Sequence, residues 1–200
     1  MAKKLDKIIV VDIEATCWEG KNPEGMENDI IEIGICFLDV NTGEIEDNRG
    51  ILVIPERSTI SPFCTELTTI TPELIEKEGV TFQEALRIIK NDYDTSSRPW
   101  ASYGAYDLNQ FKKQCTALGR GYPFGPSHIN VKTLFALKNK LGHELGMDGA
   151  LKYLNIPLEG THHRGIDDAK NIAKILKVIL YNNIQINQKP LKSGFLRINT

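Results

Sequence analysis

The chain has 200 residues, of which 41% are hydrophobic and 25% are charged, and its formal net charge is −2. This composition is that of an ordinary globular protein, long enough for one domain with a buried core. The small negative charge argues against a protein that coats nucleic acid by bulk electrostatics, but it is compatible with an enzyme that acts locally on a nucleic-acid end.

The sequence also allows predictions about membrane spans, secretion and the state of the cysteines. No apolar run approaches the roughly 20 residues that a membrane-spanning helix needs. The first residues, MAKKLDK, carry charge without an apolar segment, so no secretory signal is expected. The cysteines are scattered without a C-x-x-C pair, which is typical of free thiols in a reducing compartment; they are Cys17, Cys36, Cys64 and Cys115. We therefore expect a cytoplasmic protein with no membrane association.

Three predicted strands open the chain. The first begins at Ile8, in the apolar run that leads to Asp12. After a polar loop, a second strand is predicted over residues 30–40, and the turn signal NTGE connects it to a third strand, RGILVIP, that ends at Pro55. Short connections of this kind favour an antiparallel meander.

Helices and two further strands follow. Thr71 precedes a proline at a predicted helix start, and Thr81 opens the capping-box pattern TFQE of a second helix. RPWASYG predicts a fourth strand, a helix begins at Asp107, and HINVKTLFAL predicts a fifth strand that runs into a helix. MDGALKYLNI is a short helix, and IDDAKNIAKILKVIL is a long one with a buried face of Ala169, Ile172, Ala173, Leu176 and Leu180.

This order of elements predicts an α/β fold. Its mixed five-stranded sheet would combine the three-stranded meander with two further strands, flanked by helices. We assign residues 1–182 to this domain and residues 183–200 to a polar, basic C-terminal tail. Functional sites of such sheets gather at strand ends near a topological switch point, where the first strand would place its acidic residues.

Asp12 and Glu14 are the first candidates for chemistry. Side chains of a strand alternate between faces, so these two carboxylates project from the same side. Their repulsion and desolvation are costly. Either they accept hydrogen bonds from backbone amides as a structural cap, or they hold a hard divalent cation, which prefers oxygen ligands. The pair alone leaves both interpretations open.

Two later acidic segments have the same ambiguity. Asp107 stands where a helix begins and could be its N-cap. Asp167 and Asp168 open the last helix, where negative charge suits the helix dipole. His163 lies five residues before Asp168, on a loop that feeds this helix, and is a candidate general base.

Together these segments match a family pattern. DIEAT, YGAYD and HRGIDD occur in the order of the motifs of the DEDDh 3′-5′ exonucleases, a DnaQ-like family that the chain resembles. DIEATCW, IIEIG, SPFCTELTTIT and HHRGIDDAKNI further resemble the Eri-type, KapD-like branch, which includes histone-mRNA 3′ exonucleases. The resemblance spans about residues 7–180 and implies the RNase H-like fold. The chain departs from the family pattern at one position. Where the family commonly has L-T-G-I, residues 67–70 of this chain are L-T-T-I, so that Thr69 replaces the glycine. This change is expected to reshape the pocket for the terminal nucleotide.

The resemblance also implies a mechanism with two divalent metal ions, Mg²⁺ or Mn²⁺. Asp12 would bridge both ions, Glu14 and Asp168 would complete the water-activating site, and Asp107 would act through ordered waters. His163 would take the proton of the attacking water.

The other histidines and Asp167 receive lesser roles. Only His163 has the five-residue offset to Asp168, so His162 is expected to be a flanking loop residue. Asp167 is expected to cap the helix or face solvent. His128 and His143 lack acidic companions at meaningful spacing and are expected on the surface or in loops.

The substrate contacts that the resemblance implies fall in two segments. Those after the first acidic motif are Ala15, Thr16, Cys17 and Trp18, and those of the second block are Phe63, Leu67 and Thr68. Apolar side chains can stack on any base. Plain core packing is the alternative for Phe63 and Leu67, and Tyr106 could line the cleft or pack inward.

The predicted activity is 3′-5′ hydrolysis of single-stranded ends, with RNA favoured over DNA and release of nucleoside 5′-monophosphates. The partners would be single-stranded RNA or DNA 3′ ends. A DNA proofreading or repair exonuclease is the same-class alternative, and a non-catalytic nucleic-acid-binding regulator on the same fold is the other. All five catalytic positions are occupied, which favours an enzyme.

Overall fold

A computed structural model describes residues 4–181. Its five-stranded sheet has the order β3-β2-β1-β4-β5. The strands are β1 (Lys7–Ala15), β2 (Ile30–Asp39), β3 (Ile45–Leu52), β4 (Trp100–Ser102) and β5 (His128–Asn130). The first three form the predicted antiparallel meander, whereas β4 pairs in parallel with both β1 and β5. The mixed sheet is therefore confirmed, and β1 lies at its centre, where the strand direction changes.

The third strand begins four residues before its predicted start at Arg49. The turn after Asp39 is tight, because Asp39 Oδ1 accepts hydrogen bonds from the backbone N–H groups of Asn41 and Thr42. Pairing therefore resumes at once, with Ile45 opposite Leu38. Strand β3 is an edge strand, and the residues after Ile45 are polar, so a search for apolar runs does not find the first half of this strand.

Seven helices surround the sheet in the described part of the chain. They are α1 (Pro62–Thr68), α2 (Pro72–Glu78), α3 (Phe82–Tyr93), α4 (Tyr106–Ala117), α5 (Val131–Lys138), α6 (Met147–Leu154) and α7 (Gly165–Tyr181). The hydroxyls of Thr71 and Thr81 accept the backbone N–H groups of Leu74 and Glu84, so both predicted helix starts are confirmed. Helix α1 was not predicted, although Ser61 is its N-cap and Pro62 its first residue.

The helices form a layer on each face of the sheet. Helices α3 and α4 cover one face and pack Phe82, Ile89 and Phe111 against Ile9 and Val11. Helices α5, α6 and α7 cover the other, where Ile8 and Val10 meet the apolar stripe of α7. The result is a three-layer α/β/α sandwich in which β1 is covered on both faces.

One predicted detail of the helices is wrong, and one alternative that the sequence left open is excluded. Leu180 is 46% exposed, and Ile179 takes its place on the buried face of α7, since the end of that helix runs past the core. Asp107 is not an N-cap: Ala105 precedes α4 in that position, and Asp107 is the second residue of the helix.

The remaining predictions concern the cysteines, membrane association and the C-terminal tail. The four cysteines are free thiols, as predicted. Between residues 4 and 181, no helix has both the length and the apolar character to cross a membrane. The predicted tail, residues 183–200, and the domain boundary at 182 lie outside the described residues.

Candidate active site

Strand β1 places its two acids under the start of α7. Asp12 and Glu14 continue the side of the strand that carries Ile8 and Val10, the side that α7 covers. Helix α7 approaches closely because Gly34, opposite Asp12 on β2, has no side chain. A Cβ at Gly34 would lie 1.8 Å from the carbonyl oxygen of Gly165. This backbone contact brings the first turn of α7 down onto the end of β1.

The acids predicted from separate motifs meet at this point. Ligand oxygens of Asp12, Glu14 and Asp168 lie within 4.8 Å of one another. Asp107 is 4% exposed and its Oδ1 accepts a 3.0 Å hydrogen bond from the backbone N–H of Ile13, between the two acids of β1. The fold therefore gathers four carboxylates at one strand end.

Without a bound cation, ionisation of these four carboxyl groups is unfavourable. Burial, followed by the nearby charges of Asp107 and Glu14, raises the pKa of Asp12 well above its ordinary value. Burial and the carboxylate of Asp168 raise the pKa of Glu14 to about 8. Burial raises the pKa of Asp107 to about 6, and burial also raises that of Asp168. Each shift disfavours the ionised form, which a bound cation would favour.

The oxygens of Asp168 fit such a cation. Its Oδ2 accepts hydrogen bonds from His162 Nδ1 at 3.0 Å and from the backbone N–H of His163 at 2.9 Å. Its Oδ1 is buried and has no hydrogen-bond partner among the described residues. A buried carboxylate oxygen without a donor, beside two further carboxylates, is suited to a hard divalent ion.

Both histidines of the HHRG segment lie at the site. Their rings stack with centroids 4.0 Å apart. Burial and the neighbouring His162 lower the pKa of His163, which keeps its imidazole neutral and able to accept a proton. His162 does more than flank the site, since it orients Asp168. The choice of His163 as the base stays a prediction.

The predictions for Asp167, His143 and His128 have different outcomes. Asp167, the third residue of α7, is half-buried and accepts the backbone N–H of Thr161 at 2.8 Å, so it holds the preceding loop, and the prediction that it caps the helix or faces solvent is wrong. His143 is exposed, as predicted. His128 is not a surface or loop residue: it opens β5, its ring lies 4.3 Å from that of Trp100, and its Nε2 bonds Ser102 Oγ at 2.9 Å. The buried aromatic cluster explains its place.

Sequence reasoning missed the residues that position the start of α7. Glu32 is opposite Glu14 on β2 and is 1% exposed. Its carboxylate accepts the backbone N–H of Gly165 at 2.8 Å and pairs with both Nε and Nη2 of Arg164. The signal was a lone acid inside the apolar strand IIEIG, since a buried charge needs a partner.

Three of the predicted substrate contacts are interior residues. Ala15, Thr16 and Thr68 are buried. The Thr16 hydroxyl bonds Ser58 and accepts the backbone N–H of Asp29, and the Thr68 hydroxyl donates to Cys64 O. Their side chains are thus committed to the fold, which leaves backbone groups as the means by which these positions could reach a ligand.

The other predicted contacts are accessible. Phe63 and Leu67, four residues apart on α1, are 38% and 37% exposed, so neither is a plain core residue. Tyr106 is 56% exposed, so its side chain does not pack inward. Cys17 and Trp18 are half-buried. Helix α1 is attached to this strand end, because the hydroxyl of its N-cap residue donates to Cys17 O at 2.6 Å.

The departure at Thr69 has a structural cost. Thr69 ends α1 with φ 62° and ψ 7°, the left-handed conformation that favours glycine. A β-branched residue there loses about 1–2 kcal/mol relative to glycine. Its Oγ1 accepts a hydrogen bond from Arg164 Nη1 at 3.4 Å.

Comparison with known proteins agrees with this geometry. The model of the exonuclease family RNase_T matches residues 9–176. The chain belongs to this exonuclease family. The matched range includes every acid of the cluster and both stacked histidines.

Comparison with individual proteins gives a more specific similarity than the family model. The exonuclease domain is 32% identical to human "3'-5' exoribonuclease 1" over 197 residues, covering 92% of this chain and 56% of that protein. The chain thus spans about half the length of this curated relative.

Solved structures support the same branch. The nuclease domain of 3'hExo, described as a DEDDh family member bound to rAMP, superposes with a TM-score of 0.78 at 29% identity, covering 90% of this chain and 94% of that one. A structure of histone mRNA stem-loop recognition by 3'-exonuclease has the same TM-score and identity, with 90% and 65% covered. The RNase H-like exonuclease fold predicted from the sequence is confirmed.

Proposed function

We propose that this exonuclease domain hydrolyses the 3′-terminal phosphodiester of single-stranded nucleic acid in a metal-dependent reaction, favours RNA, and releases nucleoside 5′-monophosphates. The observation that carries the proposal is the convergence of Asp12, Glu14 and Asp168 within 4.8 Å beside a histidine pair. A regulator without catalysis would have no need for four clustered carboxylates that repel one another.

The acids would hold two divalent ions, Mg²⁺ or Mn²⁺. Such ions supply charge neutralisation on the attacking and leaving oxygens and lower the pKa of water toward neutrality. Asp12 shares the cluster with Glu14 and Asp168 and would contact both ions, and Asp168 would contribute its unpaired Oδ1. Asp107, anchored to the backbone of Ile13, would act through water.

His163 would accept the proton of the attacking water. Its lowered pKa supports this role, because a neutral imidazole has the free lone pair that a general base needs. His162, with Nδ1 on Asp168 Oδ2, would hold that carboxylate so that the other oxygen points toward the cation.

The preference for RNA rests on relatives. A solved neighbour is described with bound rAMP and another with a histone mRNA stem-loop. The exposed faces of Phe63 and Leu67 on α1 would contact the terminal base, whose flat surface suits apolar side chains. Discrimination of ribose depends on contacts to the 2′-hydroxyl. A cytoplasmic location, from the cysteine pattern, is part of the proposal.

The test uses matched RNA and DNA oligonucleotides with labelled 5′ ends, single-stranded or with 3′ overhangs, in Mg²⁺, Mn²⁺ or EDTA. We expect stepwise shortening from the 3′ end with 5′-monophosphate products, faster on RNA and absent in EDTA. A circular single strand should stay intact. Cleavage of the circle would indicate an endonuclease, faster loss of DNA would favour a repair enzyme, and binding without shortening would favour the inert regulator.

A further inference from the structure

Arg164 connects α1 to the segment that carries the histidine pair and Asp168, and we call the region between these two segments the cleft. One side is α1, which presents Phe63 and Leu67, and the other is the segment from His162 to Asp168. Arg164 Nε and Nη2 donate to the two oxygens of Glu32 at 3.1 and 3.2 Å, and Nη1 donates to Thr69 Oγ1 at 3.4 Å. One guanidinium therefore joins a buried strand to the exposed end of α1.

The anchored end of this connection is rigid. Glu32 is 1% exposed, and it also binds the backbone N–H of Gly165 at 2.8 Å. Space for its carboxylate comes from Gly50 on β3, where a Cβ would lie 2.7 Å from Glu32 Oε1. A planar guanidinium held by two parallel bonds has a fixed direction, so its remaining terminal nitrogen points to one place.

The other end determines where α1 lies. The first turn of α1 is attached to the end of β1 by the hydroxyl of Ser61, which donates to Cys17 O. The last turn ends at Thr69, whose side chain is exposed and reaches Arg164. Thus the two ends of α1 are held by different parts of the site, and the Thr69 contact crosses the cleft.

We propose that Thr69 is a positioning residue that sets the width of the cleft for an unpaired 3′-terminal nucleotide, through its hydrogen bond to Arg164. The proposal rests on the proposed exonuclease function and assigns Thr69 to substrate binding. Ordering α1 before substrate arrives lowers the cost of binding. Since Thr69 touches none of the four acids, its loss should raise KM and leave kcat nearly unchanged.

The experiment compares Thr69→Val with Thr69→Ser on a single-stranded RNA oligonucleotide. Valine keeps the shape and the strained backbone but lacks the hydroxyl, whereas serine keeps the hydroxyl. Loss of one charge-assisted hydrogen bond should raise KM about three- to tenfold in Thr69→Val. In both variants kcat should stay within about twofold, and Thr69→Ser should keep the wild-type KM.

A second pair of variants separates the contact from backbone strain. Asn155 ends α6 in the same left-handed conformation, at φ 55°, on a helix that supplies none of the four acids. Thr69→Gly and Asn155→Gly should both keep or raise the melting temperature, but only Thr69→Gly should raise KM. An unchanged KM in Thr69→Val and Thr69→Gly would overturn the proposal.

Failure of the exonuclease function would look different. In that case the wild type would not shorten any oligonucleotide with Mg²⁺ or Mn²⁺. Amide hydrogen exchange then still tests the contact: α1 should exchange faster in Thr69→Val than in the wild type or in Thr69→Ser. Equal exchange in all three would refute the role of Thr69 without reference to activity.

Discussion

Glu14 offers a direct test of the electrostatics of the site. Its pKa is raised from 4.5 to about 8 by burial and neighbouring carboxylates. The folded chain therefore keeps this proton over a pH range where the unfolded chain has lost it. Because the folded state binds more protons there, stability falls as pH rises from about 4.5 to about 8 when metal is absent.

The expected size follows from linkage. At pH 7 the solution is about 2.5 pH units above the ordinary pKa of Glu14, which is 4.5. Each of these units lowers the free energy of unfolding by about 1.4 kcal/mol, so the total loss of stability is about 3 kcal/mol. Glu14→Gln removes the titrating group with little change in shape. In EDTA it should melt about 5–10 °C above the wild type at pH 7 and level with it at pH 4.

The assay is thermal unfolding across this pH range in EDTA and then in Mn²⁺. Added Mn²⁺ should stabilise the wild type more than Glu14→Gln, because binding to the folded state adds stability by mass action. Glu76→Gln, on the exposed side of α2, is the control and should follow the wild type throughout. A melting difference between Glu14→Gln and the wild type that does not change with pH would refute the reasoning.

Other expectations concern single positions. Asp12→Asn should fold but should no longer be stabilised by Mn²⁺ in a melting assay. Its exonuclease activity should fall by more than the roughly 10–100-fold that is typical when a residue hydrogen-bonded to a metal ligand is lost. Retained activity would show that Asp12 is not part of the site. Gly34→Ala should destabilise the fold by about 1–3 kcal/mol in urea unfolding, because its Cβ meets Gly165 O, whereas Gly142→Ala, with nothing within 4 Å, should change stability by less than about 0.5 kcal/mol. His163→Gln should lower kcat by about 10²–10⁴-fold while Mn²⁺ still binds by calorimetry; a normal rate would transfer the base role to another group.

The site was predictable where local periodicity and motif order carried it. Alternation along β1 placed Asp12 and Glu14 on one face, and the offset from His163 to Asp168 placed a histidine beside the last acid. Local pattern could not distinguish an N-cap from a site residue at Asp107, because that choice depends on a hydrogen bond to Ile13, 94 positions away.

What the sequence hid were contacts between distant segments and short elements. Helix α1 has seven residues, too few to display a helical period, so only its Ser-Pro start could have revealed it. Glu32 was visible as an acid in an apolar strand, but its partner Arg164 is 132 positions away. His128 was misassigned because burial against Trp100 depends on the pairing of β4 with β5.

The meeting of Gly34 with Gly165 has an evolutionary consequence. The acids are brought together where main chain touches main chain, with a Cβ at Gly34 only 1.8 Å from a carbonyl oxygen. Apolar residues in the surrounding layers can therefore be exchanged over time at the expense of stability alone, while the spacing of the carboxylates is preserved. Lineages that diverge widely in their interior should retain these two positions without side chains as faithfully as the acids themselves.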